Sequence, residues 1–129
     1  MSAPELFNPS SAAAPVGHYS HGGFIKAGSD LLFLAGQVGI KPDGSTPATL
    51  AEQAEEVFVN IGRVLKAKDM TFANLVKINI YAVAGQPISD IRAARSRYLG
   101  DHKPPSTFIY VPQLADPKYL IEIEGVAAR

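Results

Sequence analysis

The last third of the chain contains the sequence LIEIEGV at residues 120–126, in which apolar and acidic residues alternate. Side chains on a strand repeat every two residues, so Ile121 and Ile123 point to one face. Glu122 and Glu124 point to the other face, about 7 Å apart. A buried carboxylate needs a partner or a shifted pKa, so Glu122 or Glu124 is a candidate for chemistry. The alternative is that this face is solvated, or that each Glu meets a Lys or an Arg.

Two other stretches predict further strands of the same sheet. Residues 103–111 read KPPSTFIYV, in which two prolines that cannot donate to a ladder precede a β-branched and aromatic run. Residues 76–81 read VKINIY and alternate between apolar and polar side chains.

The first third of the chain predicts an arm, a loop and a hairpin. Residues 1–15 are rich in Ser, Ala and Pro and indicate an extended arm, and residues 16–23 form a glycine-bracketed loop with two of the three histidines. Residues 24–27 and 31–38 are predicted to be two strands of one hairpin, with Gly28 in the turn. The apolar run in 31–38 indicates a strand that is covered on both faces.

Two helices are indicated by the spacing of apolar residues. Thr49 and Glu52 have the spacing of a capping box at the start of the first helix. Its apolar stripe with a 3.6-residue period is Leu50, Ala54, Val57, Phe58, Ile61 and Leu65. The second helix is predicted over Ile88–Leu99, and Gly100 ends it. Its stripe is Ile91, Ala94, Arg95, Tyr98 and Leu99.

Arg95 is the anomaly in the second helix, because it lies within the buried stripe. Its guanidinium either reaches an edge of the core or pairs with an acidic group such as Glu122 or Glu124. The functional interpretation is a clamp for an anion or a substrate.

The predicted element order is strand, strand, helix, strand, helix, strand, strand, which indicates an α+β sandwich with both helices on one face of the sheet. The other face keeps apolar residues that no element is left to cover. Self-association through that face is the hypothesis that follows.

Composition limits the classes of function. A chain of 129 residues with 47% hydrophobic and 19% charged residues indicates a single globular domain over residues 1–129. A net charge of +0 argues against nucleic acid or an anionic membrane as a partner. There is no cysteine, and His18, His21 and His102 lack the spacing of metal ligands, so neither a metal nor another cofactor is expected. Without an apparent signal or membrane-spanning segment, a cytoplasmic protein is expected.

Over almost its whole length the chain resembles the Rid family, the reactive intermediate deaminases of the YjgF type. The residues that carry the resemblance are Gly17-His18-Tyr19, 34–38 (LAGQV), Gln53, Asn60, Val76-Lys77, 104–111 (PPSTFIYV) and 121–124 (IEIE). The resemblance implies a chorismate-mutase-like β-β-α-β-α-β-β sandwich, assembled as a homotrimer with its helices outside. It also implies a ligand cleft at each subunit interface.

The activity that the resemblance implies is hydrolysis of small reactive enamines and imines, such as 2-aminoacrylate, to a keto acid and ammonia. By resemblance, Tyr19 lines the site and Glu122 positions the water. The family's carboxylate-binding Arg falls on Ser106 in this chain, a Ser of the family falls on Ala35, and an Asn falls on Arg95.

Ser106 places the chain with an Arg-lacking subgroup, because serine cannot replace a bidentate cation. Arg95 is the candidate to replace the missing cation, which would then come from the second helix and not from the strand. Ser106 and Thr107 are expected to offer hydroxyl contacts to substrate, and the backbone near Gly36 to polarise it. The alternative hypothesis is a trimer that binds a small metabolite without turnover, and ribonuclease activity is a third.

Overall fold

The computed structural model describes residues 3–129, so Met1 and Ser2 of the predicted arm lie outside the described residues. The elements in chain order are β1 (Glu5–Phe7), β2 (Gly22–Phe24), β3 (Leu31–Gln37), α1 (Leu50–Lys66), a short 3₁₀ helix (Phe72–Asn74), β4 (Leu75–Val83), α2 (Ile88–Leu99), β5 (Ser106–Val111) and β6 (Ile121–Ala128). The predicted α+β class is confirmed.

The main sheet has the strand order β3-β6-β4-β5. Strand β6 runs antiparallel to β3 and to β4, while β4 and β5 are parallel and are joined through α2. The alternation of β6 is as predicted: Ile121 and Ile123 are buried in the core, whereas Glu122 and Glu124 remain partly exposed on the opposite face. The last strand thus carries both carboxylates on the side of the sheet away from the helices.

The core lies between this sheet and the two helices. All members of the predicted stripe of α1 are buried, and Thr49 caps the helix by accepting a hydrogen bond from the backbone N–H of Glu52. The Thr49 hydroxyl also donates to the Glu52 carboxylate at 2.9 Å, so Glu52 pairs with the side chain of the cap. Helix α2 has the predicted bounds and ends at Gly100, whose φ is +55°.

The predicted hairpin between residues 24–27 and 31–38 is wrong. Strand β2 pairs instead with β1, in a separate two-stranded sheet at the start of the chain. The turn itself is present, since Gly28 has a φ of +84° and Ser29 N–H donates to Lys26 O at 3.3 Å. Its two flanking segments belong to different sheets because β3 pairs with β6, which brings Leu34 into the core.

Among residues 3–129, no element covers the sheet face away from the helices. We call it the open face. Its side chains, given by register and burial, are Phe33, Lys77, Asn79, Tyr81, Thr107, Ile109, Glu122, Glu124 and Val126. Phe33 is 72% exposed, so the prediction that residues 31–38 are covered on both faces does not hold within the single chain.

One buried polar side chain, Gln53, ties α1 to two loops. Its amide Nε2 donates to Pro47 O at 2.8 Å and to Lys118 O at 2.9 Å, and its Oε1 accepts from Leu120 N–H at 2.8 Å. The last bond fixes the chain immediately before β6, and hence the position of Glu122.

We expect Gln53→Leu to lower the free energy of unfolding by about 2–4 kcal/mol, because three backbone groups lose their partner while the volume hardly changes. Denaturant unfolding at a fixed protein concentration measures the loss. Gln113→Leu is the matched control, since Gln113 is exposed in the loop before β6. Equal losses in the two variants would contradict this role of Gln53.

Candidate functional site

A cavity of about 670 Å³ lies between α2, the beginning of β5 and the loop at residues 15–19. Its lining residues are Pro15, Val16, Gly17, His18, Tyr19, Ile80, Ile88, Ile91, Arg92, Arg95, Ser96, Lys103, Ser106 and Phe108. Three residues that the sequence singled out, Tyr19, Arg95 and Ser106, therefore meet in one place.

Arg95 projects from α2 into this cavity. Its Nη2 donates to the Ser106 hydroxyl at 2.8 Å and to the backbone carbonyl of His18. Ser106 in turn donates to Pro104 O at 2.9 Å, so the hydroxyl is held between a carbonyl and the guanidinium. Burial lowers the pKa of Arg95, although a guanidinium stays charged throughout the physiological range.

The predicted alternative that Arg95 pairs with Glu122 or Glu124 of the same chain is wrong. Both glutamates lie on the open face, whereas Arg95 lies on the helix side of the sheet. Among residues 3–129, no acidic side chain lies within 4.0 Å of Arg95. Arg97, two residues further along the helix, has such a partner in Glu55.

Tyr19 lies on the loop that closes one side of the cavity. Its phenolic oxygen accepts a hydrogen bond from Val16 N–H at 3.4 Å. Its ring meets that of His21 edge to face, with the centroids 6.0 Å apart. These contacts lie within the loop, and the hydrogen bond from Arg95 to the backbone carbonyl of His18 connects the loop to α2.

Glu122 lies in a second region, on the open face. A Cβ added at Gly36 would lie 2.8 Å from Glu122 Cδ and closer still to Oε2. The Glu122 carboxylate thus fills the notch that the missing side chain of Gly36 leaves, at an irregularity of β3 between Leu34 and Gln37. Ala35 is exposed beside this notch.

A polar row surrounds the two glutamates. Tyr81 pairs in register with Glu122, and Asn79 pairs with Glu124. Hydrogen bonding to Glu124, followed by partial burial and the nearby carboxylate charges, raises the pKa of Tyr81. On β5, Thr107 accepts a hydrogen bond from Lys77 Nζ at 3.0 Å.

The sequence analysis did not predict that Tyr81, Asn79 and Lys77 lie on the same sheet face as the two glutamates. The alternation of residues 76–81 carried that signal, because it assigns all three to the face opposite the buried Ile78 and Ile80.

The sequence-predicted residues therefore fall into two groups on opposite faces of one sheet. The first, which we call the cation side, contains Tyr19, Arg95 and Ser106. The second, the carboxylate side, contains Glu122, Gly36, Ala35 and Thr107. In the part of the chain that the structure describes, the two sides do not form a common pocket.

The side chains of His21 and His102 each contact a backbone carbonyl oxygen. His21 Nε2 lies 2.6 Å from Ala13 O, and His102 Nε2 lies 2.8 Å from Leu75 O. Residues 3–129 contain no group of three or more His, Cys, Asp or Glu side chains arranged to hold a metal ion. In the same part of the chain, no helix combines the length and the apolar character needed to cross a membrane.

Comparison with solved structures supports the fold. The chain matches a protein of the Rid family, YyfB from Yersinia pestis, with a TM-score of 0.88 and 29% identity, over 99% of this chain and 100% of that one. It also matches E. coli TdcF, solved with bound serine, with a TM-score of 0.72 and 22% identity, over 97% of this chain and 98% of that one.

Comparison of sequences identifies the family. The family model described as Endoribonuclease L-PSP matches residues 9–129. Among curated proteins, the 2-iminobutanoate/2-iminopropanoate deaminase of Bos taurus is 27% identical over 97% of this chain and 90% of its own length. The chain belongs to the Rid (YjgF-type) family.

Proposed function

We propose that the protein hydrolyses 2-imino acids to 2-oxo acids and ammonia. The observation that carries this proposal is the Glu122 carboxylate, which is seated in the notch at Gly36 on an otherwise uncovered sheet face. The relative from Bos taurus, named for the deamination of 2-iminobutanoate and 2-iminopropanoate, supports the class of reaction.

For this reaction the protein mainly has to orient the substrate and a water molecule. The imine carbon is electrophilic, so a water held by Glu122 can attack it while the carboxylate accepts a proton. As the C–O bond forms, the C=N π bond of the protonated imine breaks and its electron pair goes to nitrogen, which gives a neutral carbinolamine. Glu122 then returns its proton to that nitrogen. The C–N bond breaks as the hydroxyl oxygen becomes the carbonyl and gives its proton to Glu122, and ammonia and the 2-oxo acid leave.

Arg95 takes the role of carboxylate-binding cation in this proposal. Support comes from its position on the cavity wall, its lack of an acidic partner among residues 3–129, and its hydrogen bond to Ser106. Ser106 occupies the position at which the family's Arg was expected, and its hydroxyl orients the guanidinium that comes from α2. The cation is thus supplied by the helix, and the strand residue positions it.

Assembly as a homotrimer would complete the site. The cation side and the carboxylate side lie on opposite faces of one sheet, so a single copy cannot hold one small substrate between Arg95 and Glu122. The cation side of one copy, set against the carboxylate side of the next, would join them. The exposed apolar residues Phe33, Leu31 and Ile109 on or beside the open face support this assembly.

We expect Phe33→Glu to dissociate the assembly, because a charge placed in an apolar contact loses its hydration without gaining a partner. Sedimentation velocity should give three times the 13.7 kDa chain mass for the unmodified protein and a lower mass for the variant. Ala51→Glu, on the exposed side of α1, is the control and should remain assembled. An unmodified protein that sediments as a single chain would contradict the proposed assembly.

We expect Arg95→Ala to lower kcat/KM for imine hydrolysis by about 10- to 100-fold, mainly through KM, because a charge-assisted contact to the substrate carboxylate is lost. The matched control is Arg97→Ala, on the same helix, whose guanidinium pairs with Glu55 at the surface. Initial rates with imines made in situ by an amino-acid oxidase measure the effect. An unchanged KM in an Arg95→Ala variant that still assembles would show that Arg95 does not bind the substrate.

The second candidate is a trimer that binds a small metabolite without turnover. It is favoured by Ser106, which stands where the family's carboxylate-binding Arg was expected. A rise in Tm on addition of 2-oxo acids, together with an imine half-life that the protein does not shorten, would support it over the deaminase. A cytoplasmic location and the absence of a nucleic-acid partner stay predictions from the sequence.

A further inference from the structure

The charges around the cavity on the cation side are of one sign. Every Lys, Arg, Asp or Glu in the lining is basic, namely Arg92, Arg95 and Lys103. Arg95 is the most enclosed of them, because Arg92 and Lys103 are exposed at the rim. An anionic group therefore has its best-matched partner at Arg95, where the guanidinium is already oriented by Ser106.

Apolar side chains make up part of the remaining lining of the cavity. Ile80 and Ile91, which are 1% and 2% exposed, form its floor, and Phe108 and Ile88 lie beside them. Ile88, Ile91 and Arg95 follow one another at helical spacing on one face of α2. With a rise of 1.5 Å per residue, Ile88 lies about 10 Å along the helix from Arg95.

The size of the cavity exceeds what a small imino acid needs. A volume of about 670 Å³ lies within the range of pockets that enclose drug-sized ligands. A three-carbon imino acid bound at Arg95 would leave Ile88 in contact with water. A carboxylate that carries a bulky apolar group would instead reach from the guanidinium to Ile88, the lining isoleucine whose side chain is still partly exposed, and cover it.

We propose that this cavity selects 2-oxo and 2-imino acids with a bulky, aromatic side chain, with the carboxylate on Arg95 and the aromatic ring against Ile88 and Ile91. The 2-imino form of the ligand rests on the proposed function, but the preference for an aromatic carboxylate does not. Size selection thus deepens the deaminase proposal and can be tested by binding alone.

Calorimetric titration of the assembled protein tests the preference with three probes: phenylpyruvate, pyruvate, and phenylacetone, which has the same ring but no carboxylate. We expect phenylpyruvate to bind about 100-fold more tightly than pyruvate, because the ring buries apolar surface. Phenylacetone should bind at least about 10-fold more weakly than phenylpyruvate, and Arg95→Ala should abolish that difference, because it removes the charge-assisted contact. Ile88→Trp, which fills the far end of the cavity, should weaken the binding of phenylpyruvate and leave the affinity for pyruvate unchanged.

Equal affinity for pyruvate and phenylpyruvate in the unmodified protein would overturn the size preference, whatever the variants do. Equal affinity for phenylpyruvate and phenylacetone would overturn the role of Arg95. The proposed function fails separately, if phenylpyruvate binds as expected and no imine, aromatic or small, is hydrolysed faster than in buffer. If small imines are hydrolysed but the aromatic probe binds no more tightly than pyruvate, the deaminase proposal stands and the size preference is wrong.

Discussion

We expect the Glu122→Gln variant to hydrolyse 2-imino acids about 100- to 10,000-fold more slowly than the unmodified protein, which is the range for losing a general acid–base group. Glutamine keeps the size and one oxygen of the side chain, but it cannot accept a proton from water. The notch at Gly36 remains filled, so neither folding nor assembly should change. Ammonia release from imines made in situ, corrected for hydrolysis in buffer, measures the rate.

The matched control is Glu124→Gln, two residues along the same strand and on the same face. Glu124 lies opposite Asn79 and next to Tyr81, away from the notch, so we expect its replacement to change kcat/KM by less than about tenfold. If the two variants lose activity equally, the reaction does not distinguish the two carboxylates. Full activity in the Glu122→Gln variant would show that Glu122 takes no part in the reaction, and the proposed mechanism would then be wrong.

Gly36→Ala should reduce kcat/KM by about 100-fold, which is the cost of misplacing a reacting group by about 1 Å. The new methyl group would occupy the space of the Glu122 carboxylate. Glu122 has a flexible side chain and can move aside, so the free energy of unfolding should change little. Activity and stability are therefore measured on the same preparation, by imine hydrolysis and by denaturant unfolding.

The double variant Gly36→Ala/Glu122→Gln separates displacement of the carboxylate from other effects. If the methyl group acts only through Glu122, the double variant should be no slower than Glu122→Gln alone. Losses that multiply would mean that Gly36 acts independently, for example through its backbone. A Gly36→Ala variant with full activity would show that the carboxylate works from outside the notch.

Much of the fold follows from local periodicity. The stripe of α1 and the alternation of β6 predicted which side of each element is buried, because a 3.6-residue or a 2-residue repeat is a property of the element itself. The capping position of Thr49 and the end of α2 at Gly100 were predictable for the same reason. The hairpin at residues 24–38 was not, because a glycine turn does not specify which strands its flanks join.

Some residues of the candidate site could be named from the sequence, but their grouping could not. Periodicity singled out Glu122 and Glu124 together as carboxylates on an apolar strand, and the family resemblance chose Glu122. Periodicity also singled out Arg95 as a cation in a buried stripe. That Glu122 and Arg95 lie on opposite sides of the sheet depends on which face α2 covers, and this is a matter of long-range packing. The contact between Arg95 and Ser106 likewise joins residues from different elements.

By itself the sequence determined the α+β class, the facing of Glu122 and the inward direction of Arg95, since each depends on the residue's place within its own element. Only the tertiary structure decided that Glu122 is seated against Gly36 and that Arg95 is held by Ser106 above an apolar floor. The physical reason is that neighbours across a sheet or between layers are chosen by the packing of the whole core, to which distant segments contribute together.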